Sequence, residues 1–128
     1  MILLDTSVLI DMLTGPRRST PALRRAIDRG ERILIPTLVL YEWLRGPRIR
    51  QELLAQETLF PRESAVAFGP EEAARAAQLY AQIPQARGRE IDLAIAACAL
   101  IRDADLWTLN VRDFKGVPEL RVSLPQSL

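Results

Sequence analysis

The chain has 128 residues, 48% hydrophobic and 26% charged, with 17 basic against 16 acidic side chains and a formal charge of +1. This is the size of a single domain, read over residues 1–128, and so even a charge balance supplies no strong field for nucleic acid. With no His and a single cysteine, Cys98, the sequence excludes Ser-His or Cys-His catalysis, His-ligated metals and internal disulfides, and its six scattered glycines form neither GxGxxG nor a P-loop.

The elements alternate from the start. Ile2-Leu3-Leu4 predicts a short buried strand ending at Asp5, and Thr6 to Leu13 a helix with Val8, Leu9, Met12 and Leu13 on one side. The loop over residues 15–21 precedes a second helix that Thr20 caps and Pro21 opens, running to about Arg29 and stopped by Gly30. Arg32 to Ile35 reads as a second strand, Leu38 to Arg45 as a third helix ended by Gly46-Pro47, and Arg48 to Glu57 as a fourth. Ser64 to Phe68 follows as a third strand, Pro70 to Ile83 as an Ala-rich fifth helix and Arg89 to Arg102 as a sixth. Leu106 to Thr108 is a fourth strand, and Leu120 to Leu124 a last edge strand. This order predicts an α/β fold with a mostly parallel central sheet of four to five strands flanked by helices, and a site at the carboxyl ends of the strands. The longest apolar run, Leu93 to Ile101, has nine residues, well under the roughly 20 that span a bilayer. The N-terminus lacks a basic region ahead of its apolar residues and carries Asp5, so the expectation is a cytoplasmic protein with no membrane contact.

Most acidic residues, Glu72, Asp103 and Asp105 among them, stand among polar neighbours and read as solvated surface. Three do not. Asp5 ends an Ile-Leu-Leu strand and precedes a helix, which fits an N-cap, a crevice-facing carboxylate, or both. Glu42 is the sole charge in Leu38 to Leu44, where it needs either a cation or a surface partner such as Arg45 or Arg48. Asp92 opens the all-apolar run of the sixth helix, where it either compensates the helix dipole or faces the site. After the fourth strand, Asn110 and Asp113 compete for a further acidic position, with a plain turn role open to Asn110. Two carboxylates about 4 Å apart repel by about 4 kcal/mol at an effective dielectric near 20. Without His or a Cys set, the fitting counterion is a hard cation, Mg²⁺ or Mn²⁺, and such a site suits phosphodiester chemistry.

Leu3 to Ile10, Tyr41 to Gly46, Asp92 to Ala99 and Thr108 to Phe114, in that order, resemble a PIN domain, specifically the toxin ribonuclease of a type II toxin–antitoxin pair, the VapC-like family. The resemblance spans nearly the whole chain. It implies a metal-dependent endoribonuclease in which Asp5, Glu42 (directly or through water) and Asp92 hold the metal, with Thr6 and Ser7 supporting it. The family's fourth acidic position is Asn110 here, a departure that either Asn110 or Asp113 makes good. The same resemblance implies a homodimer, a cognate antitoxin, and promoter DNA reached only through that antitoxin. Arginines beside the motifs, Arg17, Arg18, Arg45, Arg48, Arg50, Arg87, Arg89 and Arg112, with Lys115, are the candidates for RNA phosphate contact. Trp43 and Trp107 read as core or interface rather than base-stacking platforms. Leu23, Ile27, Ile49, Leu53 and Leu54 offer either core packing or a seat for a partner helix. Two rivals remain: another Mg-dependent phosphoryl hydrolase with Asp5 as nucleophile, and a catalytically weak PIN-like scaffold marked by Asn110.

Overall fold

The structure is a computed structural model that describes residues 1–15 and 17–125. Its sheet is parallel throughout, with β1 (Ile2–Leu4) and β3 (Asp105–Trp107) at the centre, and β2 (Ile33–Leu34) and β4 (Val122–Ser123) outside, in the order β2-β1-β3-β4. The central register pairs Leu3 with Leu106 and Leu4 with Trp107, all buried. That is why β1 carries no polar alternation: strands covered on both faces read as continuous apolar runs.

Among the described residues six α-helices accompany the sheet: α1 (Thr6–Leu13), α2 (Thr20–Asp28), α3 (Thr37–Arg45), α4 (Arg50–Leu59), α5 (Pro70–Gln82) and α6 (Glu90–Ile101). The centre of the packing is α6. Leu93 through Ala99 are buried without a break, and the run of small side chains lets α5 lie closely along it. Cys98 is part of this core; burial pushes its thiol up to about 11, so it packs and does not react. No helix among the described residues is long and apolar enough to cross a membrane.

The structure departs from the sequence expectations at several elements. Ser64 to Phe68 is not a strand: Arg62–Ser64 form a 3-10 turn, and only Val66 pairs, in a single parallel bridge with Pro36. Val66 N–H donates to Ile35 O and Thr37 N–H to Val66 O, both at 2.8 Å, but Thr37 already opens α3 and its hydroxyl, not its carbonyl, takes the Phe68 N–H at 3.3 Å, so the ladder goes no further. Among the described residues the sheet therefore has four strands. Helix α4 begins at Arg50 rather than Arg48, because Arg48 folds back onto Trp43, its guanidinium 4.1 Å from the ring centroid and its Nε donating to the Trp43 carbonyl. Thr20 does not cap α2. It is the first helical residue, its buried hydroxyl has no partner among the described residues, and Ser19 holds the cap position with its N–H donated to buried Asp11.

Glu72 is not solvated surface. It is buried, accepts the Gly69 N–H at the start of α5 and pairs with Arg102 at 2.7 Å, tying α5 to the end of α6. Hydrogen bonds to a charged group are worth about 1.5–3 kcal/mol each. Glu72→Ala therefore lowers the unfolding free energy by about 2 kcal/mol or more in a urea titration. An unchanged midpoint would show that the pair contributes nothing.

Candidate active site

Parallel pairing of β1 with β3 brings the residues that follow them, Asp5 and Thr108, side by side at the carboxyl ends of the central strands. The Asp5 N–H donates to the Trp107 carbonyl at 2.9 Å. Asp5 occupies the N-cap position of α1 with extended backbone, and its carbonyl accepts the first helical N–H groups. Its carboxylate makes no capping bond. Instead the Thr108 hydroxyl donates to Oδ2 at 2.7 Å and the Ser7 hydroxyl to the same oxygen at 3.0 Å. The helix-cap expectation for the Asp5 side chain therefore fails.

Both hydroxyls are themselves held by the loop after β3. Leu109 N–H donates to Ser7 Oγ and Asn110 N–H to Thr108 Oγ1, each at 3.0 Å. Each hydroxyl thus accepts from backbone and passes its own proton to Asp5, so the carboxylate's orientation is fixed by strand end, helix start and loop together. No donor among the described residues reaches Asp5 Oδ1.

Glu42 is half-buried on α3 and answers the need for a partner twice: Thr6 Oγ1 donates to Oε1 at 2.5 Å, and Arg45 stands 3.6 Å from Oε2. Because Thr6 and Ser7 are the first two residues of α1, one helical turn serves both acidic groups. Arg45 also lies over the exposed Tyr41 ring, 5.3 Å from its centroid. Asp92 lies in the first turn of α6, half-buried, and no hydrogen bond among the described residues engages its carboxylate.

Asp92 reports how the acidic groups converge. Desolvation, then the negative charges of Asp5, Asp113 and Glu42, push its carboxyl up to about 6, with Arg89 opposing. Asp113 is exposed in a 3-10 turn (Val111–Phe114) whose Phe114 is buried in the core. Asn110 is exposed at the start of that turn, and its backbone is engaged with Thr108. The four carboxylates do not close into a ready-made cage: no group of three or more ligating side chains among the described residues meets metal-site geometry. They share a field rather than a set of ligand distances.

Of the arginines expected at phosphates, Arg89 and Arg48 are committed elsewhere. Arg89 Nη2 donates to the Asp113 and Lys115 carbonyls at 2.9 and 3.2 Å, and Arg48 stacks on Trp43. Arg17, Arg18, Arg45, Arg50, Arg87 and Arg112 are exposed. Trp43 and Trp107 are buried, as expected for core residues. Sequence reasoning missed Thr108, treated only as the end of a strand; a hydroxyl residue directly after a buried strand, beside an acid in the same position on its neighbour, was the available signal.

The sign of the pH effect follows from Asp92. A carboxyl that titrates near 6 when folded and near 3.9 when unfolded keeps its proton longer in the native state, so it favours folding at low pH. In the metal-free protein that advantage is present below about pH 4 and lost as pH rises through about 6. Asp92→Asn, which mimics the protonated form, raises Tm by a few degrees at pH 7.5 in EDTA, and the gain shrinks toward zero near pH 4. A lower Tm at pH 7.5 would show that Asp92 is not repelled.

Comparisons with known proteins agree with this architecture. The PIN domain family model matches residues 2–120. Ribonuclease VapC19 of Mycobacterium tuberculosis (strain H37Rv) is 37% identical over 126 residues, covering 94% of this chain and 98% of that protein. Among solved structures, DNA-bound VapBC from Salmonella typhimurium superposes with a TM-score of 0.78 at 22% identity, covering 98% of each chain. VapBC2 from Rickettsia felis, bound to a promoter DNA fragment, gives 0.75 at 20% identity over 97% of this chain and 98% of that one. A toxin–antitoxin complex from Klebsiella pneumoniae gives 0.73 at 24% over the full length of both chains. Those identities speak for the fold alone, whereas the family model and the ribonuclease at 37% identity speak for descent, and on them the chain belongs to the PIN-domain family.

Proposed function

We propose that this protein is a divalent-metal-dependent endoribonuclease, the toxin of a toxin–antitoxin pair, acting in the cytoplasm as a homodimer. The observation that carries the reading is the Asp5 carboxylate, withheld from the helix cap and fixed by two hydroxyls beside Asp92, Glu42 and Asp113. A merely structural Asp in that position would cap α1. Support also comes from the character of the relatives: one is a ribonuclease, and the solved structures with this fold include toxin–antitoxin complexes.

The donor set fits a hard cation. It is all oxygen, and it is short of positive charge, since burial and three neighbouring carboxylates hold Asp92 well above the usual range with Arg89 alone opposing. Asp5, Asp92 and Glu42, the last directly or through water, would hold Mg²⁺ or Mn²⁺, with Asp113 rather than Asn110 as the fourth acid because its charge reaches Asp92. When bound, such an ion supplies a nucleophilic water at neutral pH and neutralises charge developing on the phosphodiester.

The remaining work falls to side chains of this chain. Thr108 and Ser7 hold Asp5 in one orientation, and Thr6 and Arg45 hold Glu42. The exposed Arg17, Arg18, Arg45, Arg87 and Arg112 are the groups assigned to RNA phosphates. In-line attack of water on phosphorus leaves a 5′-phosphate and a 3′-hydroxyl, with no His or Lys required as base. For the antitoxin, an apolar depression between α2 and α4, lined by Leu23, Ile27 and Leu59 with Thr20 and Arg24, suits an amphipathic helix. Promoter DNA is then contacted only through that partner.

Purified protein should cleave RNA in Mg²⁺ or Mn²⁺ and stop in EDTA, and Asp5→Asn or Asp92→Asn should bring cleavage below detection while remaining folded by circular dichroism. Both variants cutting at the wild-type rate would overturn the assignment. Thr108→Val should weaken Mn²⁺ binding by about 10-fold to 100-fold, the range for partners that orient ligands, with Thr108→Ser close to wild type. Equal Mn²⁺ affinities for all three proteins would remove Thr108 from the site.

A further inference from the structure

Arg89 stands at the start of α6, in the N-cap position, three residues before Asp92. Its backbone is fixed, since its N–H donates to the Ala86 carbonyl at 2.9 Å and its own carbonyl accepts the Leu93 N–H at 2.9 Å. The side chain then crosses to the 3-10 turn that follows β3, where one nitrogen, Nη2, donates to two carbonyls, Asp113 at 2.9 Å and Lys115 at 3.2 Å. Carbonyls at the end of a short helix lack partners within it, and a cation there satisfies both their hydrogen bonding and their partial negative charge.

The turn needs that support. It has four residues, Val111–Phe114, its far end is anchored by burial of Phe114, and Asp113 itself is exposed. An exposed carboxylate has no packing of its own to hold it, so its position follows from the backbone that carries it. The Asp113 carbonyl is one of the two groups Arg89 grips.

We propose that Arg89 is a positioning residue rather than an RNA contact: it braces the 3-10 turn against the start of α6 and thereby sets Asp113 as the fourth carboxylate of the metal site. The proposal rests on the nuclease reading for its purpose and on the two carbonyl contacts for its geometry. It also accounts for how the chain manages with Asn110 where the family pattern has an acid. The acidic group is carried three residues later, on an exposed turn whose backbone Arg89 holds through two carbonyls. Arg is suited to this because its planar donors can serve two carbonyls at once; Lys can replace the charge and part of the bonding.

The test has two arms on the full-length protein. In EDTA, amide hydrogen exchange is compared for wild type, Arg89→Ala and Arg89→Lys. The brace predicts faster exchange in residues 111–117 of Arg89→Ala, with partial recovery in Arg89→Lys and little change in β1 or α1. Unchanged exchange in that segment overturns the brace. In the second arm, calorimetry measures Mn²⁺ affinity for Arg89→Ala, Asp113→Asn and the double variant. Arg89→Ala should lose about 10-fold, the lower end for groups that orient metal ligands, and the double variant should be no weaker than Asp113→Asn alone. Losses that multiply, or unchanged Mn²⁺ affinity with a raised KM for RNA, would make Arg89 a phosphate contact and overturn the proposal. Wild-type protein that binds no Mn²⁺ would instead overturn the nuclease reading, and with it the purpose assigned to the brace, even if the exchange arm succeeds.

Discussion

Repulsion among carboxylates is the constraint around which this fold is arranged. Burial and the charges of Asp5, Asp113 and Glu42 act together on Asp92 and hold its proton on to about pH 6. A protein selected only for stability would not gather four acids from four separate stretches of chain. The structure holds three of them with neutral hydroxyls or with a cation off to one side, Ser7 and Thr108 on Asp5, Thr6 and Arg45 on Glu42, Arg89 behind Asp113, while Asp92 is placed by α6 alone. Those devices fix geometry and leave most of the negative field unneutralised, which is the condition a tightly held divalent ion requires.

The fold delivers these groups with little machinery. Two central parallel strands end in register, so that Asp5 and Thr108 become neighbours although 103 residues apart in sequence. The first turn of α1 then supplies hydroxyls to two acids, and the buried helix α6 presents Asp92 at the end nearest the sheet's carboxyl edge. Core and site share elements throughout. Phe114 seals the core while its turn carries Asp113, and Trp43 is buried beside Glu42 on α3.

Much of this is legible in the sequence. The apolar run Ile2-Leu3-Leu4 followed by an acid, and the nine-residue run behind Asp92, mark buried elements that end in charge. The boundaries of α1, α3 and α6 fall within a residue of those expected, because periodicity and local signals determine them. What the sequence does not reveal depends on partners far along the chain. The single bridge at Val66 stops because Thr37 opens α3 and its hydroxyl takes the N–H of Phe68, 31 positions later. Glu72 reads as solvated because its partner Arg102 lies on another helix, and Arg89 reads as a phosphate ligand because the carbonyls it grips belong to a turn after β3. For Asp5 the sequence leaves a cap and a crevice-facing carboxylate both open, because no local pattern records that Thr108 claims its oxygen.

A crystal soaked in Mn²⁺ and measured at the manganese absorption edge addresses the central claim directly. Anomalous density within bonding distance of Asp5 and Asp92, with Glu42 and Asp113 on its border, is the predicted result. Strong density elsewhere on the protein with none among those four carboxylates would contradict it.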